Sequence, residues 1–445
     1  MSCFEDRALS RRSLLALAGG GAALTFWPFM PKAAIAGTRD PRFLLVVLRG
    51  GLDGISMAVP VGDPDYAPLR RELALPKSGD GAGFPLDGLF ALHPRMTFLK
   101  SLYEKREATI LHAVASPYRG RSHFDGQDVL ESGLDSVGGV KDGWLNRALS
   151  KLPDAGRVAP QKGLSIGAVV PLVMRGPADV VSWTPPSFKN AELNASTIER
   201  LQDLYAQTDP ALGKAFADGI ALDELAGPAG AMSASAEGGM MMGEGMMAGG
   251  TAPSGMGRAS SAKPNTARQK PQRYRGFIDT AARAARFLTA PDGPRIGVLS
   301  YSGWDTHFNE GVLDGQLANK LGGLDAAVKA LHDGMGEAWS DTVVLFVTEF
   351  GRTAETNGTR GTDHGTATMA LMTGGAVRGG RVITDWPGLN RAALFEDRDL
   401  KPTMDLRTIC KGILQDHLGI PGGALRNNIF PESRDAAPLK DLIAS

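Results

Sequence analysis

Five short segments of this chain bring acids, imidazoles and hydroxyls together beside glycines. They are Arg49-Gly50-Gly51-Leu52-Asp53-Gly54, the run from Ser116 to Gly126, Ser302-Gly303-Trp304-Asp305-Thr306-His307, Glu349-Phe350-Gly351-Arg352-Thr353, and Gly361-Thr362-Asp363-His364-Gly365-Thr366. Of the seven histidines, His123, His307 and His364 fall in these segments, each within two residues of an aspartate: Asp125, Asp305 and Asp363. A hard carboxylate oxygen and a neutral imidazole nitrogen together suit Zn²⁺ or Mn²⁺. One Asp-x-His alone is as well explained by a turn cap beside a surface histidine. Five polar clusters at successive strand ends favour a metal site.

Ser122 stands at the expected start of a helix over 125–132. Backbone N–H groups and the helix dipole there favour an anion, and Arg119 and Arg121 add positive charge. Its hydroxyl reads equally as an N-cap and as a nucleophile. Other chemistries find little support. The first glycine turn lacks the Lys-Ser/Thr of a phosphate-binding loop and the spacing of a dinucleotide fingerprint. There is no Gly-x-Ser-x-Gly elbow and no Cys-x-x-Cys.

The elements that must position these residues follow from hydrophobic pattern. Unbroken apolar runs at 43–48 and 342–348 predict strands buried on both faces. Further strands are expected at 108–114, 295–301 and 367–373, with strands or hairpin arms at 164–170 and 178–183. Helices are expected from about 94, at 143–152, 191–205, 274–290 and 404–418. Another carries Leu313, Leu317, Leu321, Leu324, Val328, Leu331 and Met335 at steps of three and four. Such alternation predicts an α/β fold with a mostly parallel sheet covered on both sides, with sites at the carboxyl ends of its strands.

Residues 1–36 read as an address. Ser10-Arg11-Arg12 precedes a 13-residue apolar run, too short to span a bilayer, and Ala34-Ile35-Ala36 offers a cleavage site. This is similar to a twin-arginine export signal, so the protein is expected in the periplasm or secreted, with the twin-arginine machinery as a partner and no transmembrane anchor in the mature chain. The 445-residue chain carries 48 basic and 48 acidic residues. Cleavage removes four basic and two acidic ones, leaving 44 against 46, a balance that directs nothing towards nucleic acid. Cys3 leaves too, and Cys410 remains as a helix-spaced core thiol. A Gly/Met-rich stretch over 226–270 has no periodicity and predicts a flexible, disordered insertion. Seven of the sixteen methionines lie there. Thioethers can bind Cu(I), but low-complexity drift accounts better for them. Residues 37–445 are otherwise expected to form a single α/β domain.

The Leu-Arg-Gly-Gly-Leu-Asp-Gly opening, Tyr-Arg-x-Arg-Ser-His-Phe-Asp-Gly-Gln-Asp (118–128), Gly-Trp-Asp-Thr-His (303–307), Thr-Glu-Phe-Gly-Arg-Thr (348–353) and Thr-Asp-His-Gly (362–365) resemble the bacterial domain of unknown function 1501 family. That family in turn resembles the alkaline phosphatase and sulfatase superfamily. The resemblance implies a three-layer sandwich binding one or two divalent metals beside a nucleophile. Asp53 then matches the acidic ligand after the first strand, and Ser122 the nucleophile position. Asp305 and His307 match an Asp-and-His pair, though two residues apart where the superfamily has four. Glu349 stands where Asp-His-Gly is usual, with Asp363-His364-Gly365 in the loop beyond. The expectation is a hydrolase of phosphate or sulfate esters using Zn, Mn or Ca. Asp53, His123, Asp125, Asp305, His307, Glu349, Asp363 and His364 are its candidate ligands. Ser122 would attack, and Arg119, Arg121 and Arg352 would clamp oxygens. The alternative is a degenerate fold serving as a periplasmic binding or assembly protein, which Phe350 and the unusual spacing favour.

Overall fold

The computed structural model describes residues 39–153, 163–185, 201, 210–226 and 272–444. The chain divides into two units, Met1–Asp40 and Pro41–Ser445, and the second carries everything below. The export signal over 1–36, all but residue 201 of the helix expected over 191–205, and residues 227–270 of the insertion lie outside the described residues.

The first apolar run becomes strand β1 (Arg42–Arg49), buried along nearly its whole length. It is followed by β2 (Ala108–Ala115), β3 (Gly163–Ile166), β4 (Val180–Trp183), β5 (Ile296–Ser302), β6 (Thr342–Val347), β7 (Thr368–Thr373), β8 (Arg381–Ile383) and β9 (Met404–Asp405). They form one sheet in the order β8-β2-β7-β6-β1-β5-β3-β4, with β9 also on β2. β1 lies between β5 and β6, parallel to both, with Phe43 opposite Ile296 on one side and Val343 on the other. β3 and β4 pair in parallel, so they are separate crossovers and not hairpin arms. β7 alone runs antiparallel to its neighbours β6 and β2.

Alternate residues of β1 enter two different cores, which explains why the run has no polar positions. Leu44, Val46 and Leu48 pack on one face with α1 (Thr97–Glu104), α4 (Gln272–Thr289) and α5 (Gln316–Met335). Phe43, Leu45 and Val47 pack on the other with α3 (Trp144–Leu149) and α6 (Leu406–Asp416). Helix α2 (His123–Ser132) follows β2. The result is the expected α/β arrangement of helices on both faces of a largely parallel sheet. The stripe of α5 is buried from Leu317 to Met335, while Leu313 lies ahead of the helix and is exposed. Cys410 is buried in α6, and burial pushes its thiol up to about 12. Among the described residues no helix is long and apolar enough to cross a membrane.

The carboxyl ends of β6, β1 and β5 are adjacent on one rim. Because β7 is antiparallel, its amino end returns to that same rim, and the 348–367 loop begins and ends there. The turn after β1 depends on Gly50, whose φ of +118° is in the region that favours glycine, and whose missing Cβ would lie 2.7 Å from the backbone nitrogen of Asp305. Gly50→Ala is therefore expected to lower stability by about 1–3 kcal/mol in chemical denaturation while leaving the far-ultraviolet spectrum of the sheet unchanged.

Candidate metal centre

Four side chains from three segments meet on this rim. Asp305 follows β5, held by a turn in which the backbone N–H groups of Gly303 and Trp304 both donate to Arg49 O. The Trp304 ring beneath is fully buried. His123 is the first residue of α2, His307 lies two residues beyond Asp305, and His364 comes from the segment that leads into β7. Asp305 Oδ1 is 3.0 Å from His307 Nε2 and 3.1 Å from His364 Nε2. Asp305 Oδ2 is 3.4 Å from His123 Nε2. The Nε2 atoms of His307 and His364 are 3.0 Å apart.

The opposite nitrogen of each ring is tied to an oxygen that can only accept, a backbone carbonyl or a carboxylate that its partners keep ionised against burial. His123 Nδ1 lies 2.8 Å from Glu349 Oε1, His307 Nδ1 3.1 Å from Asp363 Oδ1, and His364 Nδ1 2.8 Å from Arg121 O. Each Nδ1 therefore carries the hydrogen and donates it, and in the neutral ring this leaves the Nε2 lone pair facing the shared centre. Two such lone pairs at 3.0 Å repel unless a cation or a proton lies between them. Carboxylate or carbonyl acceptors behind metal-binding histidines do this orienting work in general, and raise ligand basicity. Ligand atoms of His123, Asp305 and His364 all lie within 4.8 Å of one another, and His123 Nε2 is buried with no hydrogen-bond partner. This donor set fits a Zn²⁺-like ion.

Glu349 is the best held of the acceptors. It takes the Gly50 N–H at 2.8 Å, Gln127 Nε2 at 3.1 Å and Thr348 Oγ1 at 2.9 Å. Arg49 donates to the oxygen of the same Gln127 amide, which turns its nitrogen towards Glu349. Burial alone would raise the Glu349 carboxyl, but its hydrogen bonds with His123, Gln127 and Gly50 hold it below its usual range. In return Glu349 raises the His123 imidazole. Phe350 is buried and its ring lies 4.8 Å from that of His123 and 5.0 Å from that of His364, so it walls the cluster.

The other expected residues sit elsewhere. Glu349 and Asp363 orient histidines from behind. Ser122 caps α2, its Oγ accepting from Asp125 N at 3.4 Å. Asp125 faces Tyr118 Oη at 3.3 Å. Arg119 donates to the carbonyls of Ser116 and Tyr118. Arg121 is held by Glu396 and the buried Asp399. The oxygen clamp expected of Arg352 meets a guanidinium with no solvent exposure, saturated by Gly50 O, Gly51 O, Thr362 O, Trp304 O and Asp305 Oδ1. Asp53 is buried with both oxygens taken by Arg70, at 2.7 and 2.8 Å, so a guanidinium stands where a second cation was expected. Gln127 and Arg49 were not singled out from sequence, although Gln127 lies one helical turn after His123 on the same face.

Glu310 completes the buried group around Asp53. Burial pushes its carboxyl well above the ordinary value, and the neighbouring Asp53 charge adds to this. Asp53 would be raised by burial too, but Arg70 holds it low. Glu310 Oε1 has no partner if the group is ionised; protonated, it donates to Asp53.

An α/β sandwich with an imidazole and carboxylate cluster at its strand ends defines a candidate metalloprotein. Its family is set by sequence: residues 112–429 match the family described as "Protein of unknown function (DUF1501)", and the chain belongs to that family. No curated protein matches it in sequence. Among solved structures it is similar to Ps i-CgsB, at 11% identity and a TM-score of 0.38, covering 89% of this chain and 77% of that one. It is also similar to the phosphonate monoester hydrolase of Agrobacterium radiobacter, at 11% identity and a TM-score of 0.35, covering 86% and 74%. The C-terminal periplasmic domain of EcEptC from Escherichia coli, in complex with Zn, is similar at 11% identity and a TM-score of 0.29, covering 75% and 73%.

Because Glu310 keeps its proton in the fold, the stability it contributes is complete below its unfolded value and is lost as pH rises through its raised folded value. Glu310→Gln is expected to match the wild type in mild acid and to become progressively more stable than it towards alkaline pH, measured by urea denaturation across that range. Arg70→Met, which strands the Asp53 charge, is expected to cost about 3–5 kcal/mol in the same assay.

Proposed function

We propose that this chain is an exported metal-dependent hydrolase of phosphate or sulfate esters. The observation that carries the reading is the convergence of three Nε2 atoms on Asp305, each ring fixed from behind by its own acceptor. His123, Asp305 and His364 would hold the ion, with His307 beside them. Three imidazoles and a carboxylate favour Zn²⁺ or Mn²⁺ over Ca²⁺, which takes oxygen ligands. When bound, such an ion supplies Lewis-acid stabilisation of charge developing on an ester oxygen.

The chain's own groups support the rest. The first N–H groups of α2 have no intrahelical acceptor and favour an anion beside His123. His307 is poised by Asp363 to accept or hold a proton at Nε2. Ser122 Oγ accepts the Asp125 N–H at 3.4 Å as the helix cap, with its second lone pair left over. That cap, together with the committed side chain of Arg352, favours a second reading: a metal-binding protein without turnover. The Ser10-Arg11-Arg12 opening supports export.

Elemental analysis of purified protein tests the centre: about one Zn or Mn per chain is expected, falling at least tenfold in Asp305→Ala and in His364→Ala. Full occupancy in both variants would sink the metal centre. Turnover of phosphate or sulfate esters that depends on that metal supports the hydrolase, and metal without turnover supports the second reading. Loss of turnover in Ser122→Ala with metal retained assigns attack to the serine. Replacing Arg11 and Arg12 together by lysine is expected to leave the protein in the cytoplasm on cell fractionation.

A further inference from the structure

Two large aromatic side chains stand out into water from the segments that carry the centre's histidines. Phe124 is 88% exposed and Phe308 63% exposed, and they are the two exposed Phe among the described residues. Each directly follows a histidine of the cluster. The His364 ring lies 4.4 Å from that of His123 and 4.7 Å from that of His307, so the three imidazoles form a row with His364 in the middle. The two exposed phenyl groups are joined to its outer members, one peptide unit away, where consecutive Cα atoms are about 3.8 Å apart. Between them the cluster is open: the Asp305 side chain is 42% exposed. Exposed apolar side chains scattered singly need no explanation. Two phenyl groups attached to the two ends of one ligand row are a different case, and the Phe308 ring lies 6.4 Å from that of His307.

Their chemistry narrows what passes. Phenylalanine has no polar atom, unlike tyrosine or tryptophan, so it offers contact area without hydrogen bonding. A hydroxyl-bearing alcohol would lose water at this rim and gain nothing in exchange. The anion-favouring first turn of α2 lies immediately beside Phe124, so polar and apolar recognition are adjacent on the same helix end. Resting on the hydrolase reading above, we infer that Phe124 and Phe308 determine specificity for an ester whose alcohol part is apolar, its hydrocarbon lying against the two rings while its oxyanion faces the histidine row.

A homologous series tests this without changing leaving-group chemistry. n-Alkylphosphonates from ethyl to octyl, which are not hydrolysed, are titrated calorimetrically into the metal-replete full chain, and n-alkyl phosphates are followed for turnover. Affinity is expected to rise two- to fourfold for each added methylene over the first few carbons, fourfold being the ratio for a methylene fully withdrawn from water at about 0.8 kcal/mol. In Phe124→Ala/Phe308→Ala the slope flattens, while metal content and the inhibition constant for inorganic phosphate stay unchanged. Chain-length-independent affinity in the wild type, an unaltered slope in the double variant, or no phosphonate binding at all each overturns the inference. A steep phosphonate series without any phosphate turnover instead removes the hydrolase and leaves the rim assignment standing. Vesicles of phosphatidic acid in phosphatidylcholine form a separate arm: binding lost in the double variant beside a flat soluble series would make the rings a membrane contact and overturn the substrate claim.

Discussion

Arg352 is the constraint on which the rim depends. A guanidinium has five N–H donors in a rigid fork and keeps its charge in any protein environment, so burying one without partners would cost several kcal/mol. Here the fork is answered by carbonyls from the β1 turn, the β5 loop and the 348–367 loop, and by the Asp305 carboxylate. Moving any one of the three loops unpairs the charge, so they are fixed relative to one another. Arg352 also keeps Asp305 ionised against the burial that would raise it. One residue thus sets both the position and the charge state of the acid around which the histidines gather.

The imidazoles are governed by a second layer. None of them relies on its rotamer alone: His123 leans on Glu349, which leans on Gln127, whose amide is turned by Arg49, itself paired with the buried Glu131. His364 leans on a backbone carbonyl, and the residue that provides it, Arg121, is pinned by Asp399. Conservative exchanges in this layer, Gln127 to Glu for example, alter proton positions rather than shape. Glu349 serves in this way from behind, while histidines from other segments face the middle.

Much of this was legible in the sequence, and the part that was not has a common cause. Apolar runs such as 43–48 and 342–348 announce strands because a doubly buried strand leaves no polar position, and glycine-flanked acids and histidines at their ends mark the rim. Pattern is silent on direction. That β7 runs antiparallel, and so returns His364 to the same rim, depends on pairing with β6 and β2 far away in the chain. Partner choice is equally hidden: Asp53 reads as a ligand until Arg70, 17 residues on, is seen to hold both its oxygens. The roles of Arg352 and Glu349 likewise depend on contacts across 47 and 226 residues. Residue type and spacing locate a cluster, whereas tertiary neighbours decide which members face the centre.

The antiparallel strand also fixes a sequence of events during synthesis. His364 is the last of the four converging side chains to leave the ribosome, and its position depends on β7, which follows it and must insert between strands already made. A nascent chain that stops short of this point has three candidate ligands and no closed rim. An ion held at this centre would therefore report completion of the sheet and mark a chain whose long-range pairings have formed.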